Sequence, residues 1–150
     1  MNRLFRYLLL ATHLLLSING LIGGLLLMIK PDGSKLQMDP TWLGRTPFQN
    51  YFIPGFLLFT FVGCLSMVTL IGLIFKTKSG FLNSVNIYPD KHWAWTYSLY
   101  TGFSTIIWIT IQLIMTQYFW LQPVILFLGT GILMCTLVPG VIRHYTIRNQ

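Results

Sequence analysis

The chain contains no glutamate, and its three aspartates, Asp32, Asp39 and Asp90, all fall between apolar runs. Charge of either sign is scarce: 9% of residues are Asp, Glu, Lys or Arg, against about 25% in soluble domains. So few charges cannot coat a water-soluble fold of 150 residues, and lipid as the solvent removes the need for a polar shell. No carboxylate sits inside an apolar run, which weighs against proton-coupled pumps and cation transporters, since these usually place one there. There is no H-E-x-x-H, no nucleophile elbow and no phosphate loop. Ser/His/Asp catalysis would have to draw on Asp90 and His92, and Asp90 reads more simply as an N-cap or first-turn acid. The chain therefore reads as more a non-enzyme than an enzyme. Cysteine is nearly absent too. Cys64 and Cys135 stand in separate apolar runs without a C-x-x-C or Cys/His cluster, so structural zinc and dithiol chemistry lack partners. No metal and no cofactor is expected. Haem would need axial ligands, and His13 lies about two turns deeper than His92 and His144.

What is present is apolar and aromatic, 54% and 15% of residues respectively. Four segments, approximately 7–29, 51–75, 93–116 and 123–142, are each about 20 residues or longer, enough to cross a hydrocarbon core about 30 Å thick. The first is preceded by Arg3 and Arg6, as a signal peptide would be. Its run is longer than a signal h-region, and Lys30-Pro31-Asp32-Gly33 offers no small-residue cleavage site, so a retained helix is expected. The fold class is all-α transmembrane: a four-helix antiparallel bundle in a single domain.

The net charge of +7 does not point to nucleic acid, because the basic residues stand at the ends of apolar runs rather than on one face. Seven of them (Arg3, Arg6, Lys76, Lys78, Lys91, Arg143 and Arg148) fall on one side of the expected membrane and three (Lys30, Lys35 and Arg45) on the other. The positive-inside rule then puts both termini in the cytoplasm of a cell membrane.

The outer connection between the first two segments carries the strongest local signals. Pro31-Asp32-Gly33-Ser34 has turn chemistry, with flanks able to pair as a short hairpin. Asp39-Pro40 reads as an N-cap followed by proline at the first helical position, hence a short helix. Thr46-Pro47-Phe48-Gln49 repeats that device, which predicts that the second long helix starts near Pro47 and is kinked at Pro54-Gly55. Asp39, Trp42, Arg45, Phe48 and Asn50 are the candidate partner-binding residues of this loop, because loops at a membrane surface are where recognition is often placed.

Within the membrane, His13, Ser17, Gly20 and Gly24 share one helical face, as close helix packing requires. The third segment is the most polar. Tyr97, Thr101, Ser104 and Trp108 line one face together with Ile111 or Gln112, and Ser98, Thr105 and Gln112 line the adjacent one. These faces should turn inward, either into an interhelical hydrogen-bond network or onto a polar cavity. His13, Tyr97, Thr101, Ser104, Trp108 and Gln112 form the candidate cavity. Gln112 matters most, since an amide in hydrocarbon needs several partners. Pro139-Gly140 should bend or end the fourth segment.

The sequence Pro31-Asp32-Gly33, Leu36-Gln37-Met38, Trp42-Leu43 and Thr46-Pro47-Phe48-x-Asn50-Tyr51-x-Ile53-Pro54-Gly55 resembles a family of small, uncharacterised four-helix bacterial membrane proteins. The resemblance implies the topology and a bacterial inner membrane, and carries no activity. The expected function is non-enzymatic, through membrane-protein partners, a second copy of the chain or membrane lipid: an accessory subunit, an assembly factor or a protective, immunity-type factor. The alternative is a lipid- or small-ligand-binding protein or transporter with a polar intramembrane cavity.

Overall fold

The computed structural model describes residues 2–147, with side chains from Arg3 onward, so Arg148 lies outside the described residues. The chain is helical, and among the described residues extended pairing is limited to one isolated bridge between Lys91 and Thr146. Helix α1 spans Asn2–Ile29. It stops where Lys30 precedes Pro31, a position from which proline excludes the helical region. The second span, Phe52–Phe75, is composite: α2 (Phe52–Leu57), a π-helical segment (Leu58–Cys64) and α3 (Leu65–Phe75). A short α4 (Gly80–Ser84) precedes α5 (Trp93–Met115), and α6 (Leu121–Leu137) and α7 (Pro139–Tyr145) follow.

Three helices are long and apolar enough to cross a membrane, and a fourth crossing arises if α6 and α7, bent by 71° at their junction, form one broken span. The outward surface agrees with lipid as the solvent: Phe75, Ile114 and Phe127 are each more than 70% exposed. The α6–α7 bend lies where proline puts it. Val138 is extended (φ −61°, ψ 128°), and Pro139 opens α7 in the position that needs no N–H.

Helix α1 packs on the second span and on α6, while α5 packs on α3 and α6. The α1 stripe lies on the second span in antiparallel register: His13 meets Ser66, Gly20 meets Gly63, and Gly24 meets Gly55 and Phe59. Backbone touches backbone there, since a Cβ on Gly20 would lie 2.5 Å from the Gly63 nitrogen. Glycine costs helix propensity, yet here it allows the close approach that binds apolar helices together.

Three expectations for the Lys30–Asn50 connection are corrected. Pro31-Asp32-Gly33-Ser34 does make a turn, with Gly33 at φ +79° and Ser34 donating to Asp32. No hairpin flanks it, because 27–29 complete α1 and Ser34–Leu36 coil into a 3-10 turn. Nor does the second span start near Pro47. Thr46 Oγ1 accepts from the Phe48 N–H at 3.2 Å, closing a local turn, and Asn50 Oδ1 accepts from the Phe52 N–H at 3.0 Å just before the helix. Pro54 therefore falls in the first helical turn, where the missing N–H has no acceptor to lose, and it makes no kink. The irregularity comes a turn later, as the π-helical segment against α1. The short helix is present as expected, as a 3-10 helix over Pro40–Arg45, capped by Asp39 Oδ1 accepting from Thr41 N at 2.8 Å.

Asp90 does not start α5. It pairs with Lys91, and His92 is the cap: Nδ1 accepts from Ala94 N at 3.3 Å while Nε2 donates to the Thr77 carbonyl at 3.2 Å. The same end is tied to the chain's last described residues, with His92 N donating to Tyr145 O and Ile147 N to Asp90 O, both at 2.8 Å.

Candidate functional site

The candidate cavity residues separate into two groups. His13 is fully buried where α1 meets α3 and α5. Its Nδ1 lies 2.9 Å from Ser66 Oγ and its Nε2 3.2 Å from Ser98 Oγ. The serines also reach backbone carbonyls, Ser66 that of His13 at 3.2 Å and Ser98 that of Ala94 at 3.1 Å. One level along, Thr101 Oγ1 is 3.5 Å from Thr69 Oγ1 and donates to Tyr97 O. Tyr97 is buried with its ring edge-on to Trp93, and Ser104 bonds only the Thr101 carbonyl. His13 and the hydroxyls of Ser66, Ser98, Thr69 and Thr101 satisfy one another in a close-packed interior, while the buried Thr105 hydroxyl has no partner among the described residues. They leave no nucleophile beside a base and an open space, so the chemistry here is that of helix association.

Trp108 and Gln112 belong elsewhere. They line a cavity of about 320 Å³ at the far end of the helices, beneath the Lys30–Asn50 connection. Its walls come from Ile18, Ile22 and Gly23 of α1, Leu58 of the second span, Trp108, Ile111 and Met115 of α5, and Ile125 of α6. Trp42, Leu43 and Phe48 close it from the loop. No charged side chain lines it; the polar rim is made of amides and hydroxyls such as Asn19, Gln112, Gln122 and Thr116. The Trp108 Nε1 donor has no partner among the described residues. An apolar chamber with a few amides at its rim is suited to holding a ligand.

The roof is held in place from several sides. Tyr51, buried between Leu27 and Leu43, donates from its hydroxyl to the Asp39 carbonyl at 2.7 Å, and its N–H bonds Pro31 O at 2.8 Å. The Asp39 carboxyl is held below the usual carboxylate range by the Thr41 N–H. Across the chamber, the Trp42 ring meets Phe119 at 6.2 Å, and Phe119 meets Trp120 at 6.0 Å. Gln122 ties the α5–α6 turn together: its Oε1 accepts from Phe119 N at 3.1 Å and its Nε2 donates to Thr116 Oγ1 at 3.2 Å.

Of the loop candidates, Trp42 and Phe48 face the chamber, and Asp39 and Asn50 spend their side chains on caps. Arg45 alone is exposed without such a bond among the described residues. Sequence reasoning missed Gly23, Leu58 and Gln122. The available signal was the extra glycine beside the stripe, Gly23 next to Gly24, which packing with the second span does not use: a Cβ there would meet only Leu58 Cδ2, at 3.5 Å. No family model matches the chain, and neither a curated protein nor a solved structure matches it, so the reading of the site rests on its geometry.

Proposed function

We propose that this chain is a non-enzymatic, multi-pass protein of a cell membrane, and that it works by holding a membrane lipid, through an acyl chain, in the chamber under its outer loop. On this reading the four apolar segments form an antiparallel bundle with both termini in the cytoplasm, following the seven-to-three distribution of Lys and Arg. The observation that carries the proposal is the chamber itself. It is uncharged, about 320 Å³, walled by all four apolar segments and closed by Trp42 and Phe48. That volume is at the lower end of the about 300–1,000 Å³ typical of small-molecule sites. Exposed Ile18, Ile22 and Ile111 continue its apolar lining onto the outer surface of the helices, where acyl chains are the surrounding medium. An accessory, assembly or protective role would then act through the bound lipid and the loop above it.

Filling the chamber tests this. Gly23→Leu adds a side chain toward the space with only Leu58 in ordinary contact, and Gly131→Leu on α6 serves as the control, its nearest neighbour being Thr12 at 3.9 Å. Native mass spectrometry of gently solubilised protein should show retained lipid for the wild type and Gly131→Leu, and its loss from a folded Gly23→Leu. Lipid retained equally by Gly23→Leu rejects the chamber as the site. Co-purification with a second membrane protein and no lipid favours the accessory-subunit reading instead.

A further inference from the structure

The opposite end of the helices, where the first turns of α1 meet α7, holds a second cavity, of about 340 Å³, lined by Arg3, Arg6, Arg143 and His144 with Gly140 and Val141. Residues from the two ends of the sequence converge here: Arg6 Nη1 lies 3.2 Å from His144 Nε2. The neighbouring cation Lys76 donates to the His144 carbonyl at 3.5 Å and lies 5.5 Å from the Tyr145 ring centroid. The one ion pair among the described residues, Asp90 with Lys91, involves none of these arginines. The imidazole orients the Arg6 guanidinium without neutralising it, so like charges are gathered around a space with no counter-charge from the described chain. That arrangement is unfavourable until an anion joins it. A topology signal needs only that basic residues lie on one side of the membrane; it does not require them to surround one cavity.

We infer that this cavity is a phosphate-recognising site for the headgroup of an anionic membrane lipid. The guanidinium fork matches phosphate oxygens in pairs, which a lysine cannot do. The setting selects the lipid. On the same turns of α1, Leu4 and Tyr7 are exposed at 58% and 60%, and Arg6 lies 5.6 Å from the Tyr7 ring centroid. The basic cavity therefore borders the apolar surface, as a headgroup site with its acyl chains alongside requires. This site is independent of the loop-covered chamber, which lies at the other end of the helices and contains no charge.

The test uses the full-length protein in neutral detergent, titrated with phosphatidylglycerol, phosphatidylcholine or inorganic phosphate and followed by thermal unfolding and native mass spectrometry. Arg3→Gln and Arg143→Gln are compared with Lys78→Gln, an exposed charge of the α3–α4 loop; none of the three residues makes a side-chain hydrogen bond to a described residue, so all three variants should fold. Phosphatidylglycerol should stabilise the wild type and Lys78→Gln alike, with apparent affinity about fivefold weaker for each arginine removed and falling as salt is added. Phosphatidylcholine should give little stabilisation. The effect should persist in Gly23→Leu, which separates it from lipid in the chamber. The inference is overturned if Lys78→Gln weakens binding as much as the arginine variants, if phosphatidylglycerol acts no better than phosphatidylcholine, or if inorganic phosphate alone reproduces the full stabilisation.

Discussion

Along α5, Ser98 and Thr101 are fully buried, with their hydroxyls set against His13 of α1 and Thr69 of α3, while Trp108 and Gln112, two to three turns further on, face a chamber. One helix thus runs from a filled half into a hollow half. Alongside both halves, glycine brings α1 and the second span into backbone contact, Gly20 against Gly63 and Gly24 against Gly55. In the hollow half, the space left alongside that contact is covered by a loop. A polar face on a membrane helix therefore reports that the face turns inward, and leaves open whether it meets another helix or a void.

The largest effect should come from pushing α1 and the second span apart. Gly20→Leu or Gly63→Leu should cost about 3 kcal/mol, the upper part of the usual overpacking range, because the obstacle is backbone and cannot rotate away. Unfolding in a denaturing detergent series measures it, and a tolerated leucine would mean that the contact is loose. Removing the roof should cost less. Trp42→Ala loses one half-buried aromatic, about 1–2 kcal/mol, and should also abolish lipid retention in native mass spectrometry; unchanged retention would show that the loop does not close the chamber.

His13→Leu should cost about 1 kcal/mol, since interhelical bonds in membranes average roughly 0.6 kcal/mol each and Ser66 and Ser98 keep their backbone acceptors. A loss of several kcal/mol would make the buried imidazole a keystone of the fold. The smallest effect concerns the α5 cap. Burial, with the Lys76 charge adding to it, lowers the His92 pKa below the usual 6.5. The unfolded chain then takes up the proton first, so stability is complete above pH 6.5 and declines as the pH falls below it. Protonation also removes the Nδ1 acceptor used by Ala94 N, a cap worth about 1 kcal/mol. Thermal midpoints at pH 7.5 and 5.5 should differ for the wild type and differ less for His92→Asn.

The stripe from His13 to Gly24 was legible in the sequence because a helix fixes which residues share a face, and its partner glycines lie on a segment whose length and polarity also identify it. Cap chemistry located the Pro40–Arg45 turn for the same local reason. The start of the second span was misread because Thr46 and Asn50 each close short turns of their own, and sequence spacing does not say which capping residue wins. The chamber was not legible. It depends on how Trp42 and Phe48 fold over the helix ends, and on Gly23 being left uncovered, which are distances between elements rather than patterns within one. The arginine cavity was hidden differently, since Arg6 and Arg143 become neighbours only when α7 turns back at Pro139.

That turn has a consequence for the surrounding membrane. With α7 bent away by 71°, α6 is left with 17 residues, a rise of about 26 Å, against about 30 Å for an average hydrocarbon core. Helix α1 has 28 residues, of which the apolar stretch 7–29, after Arg3 and Arg6, rises about 35 Å. The protein is thus tall on one flank and short on the other. If α6 and α7 form one broken span, lipids beside α6 would thin and α1 would tilt, at a cost of fractions of a kcal/mol per Å of mismatch. Such a wedge-shaped perimeter favours thin bilayers, or a neighbour whose own flank is equally short.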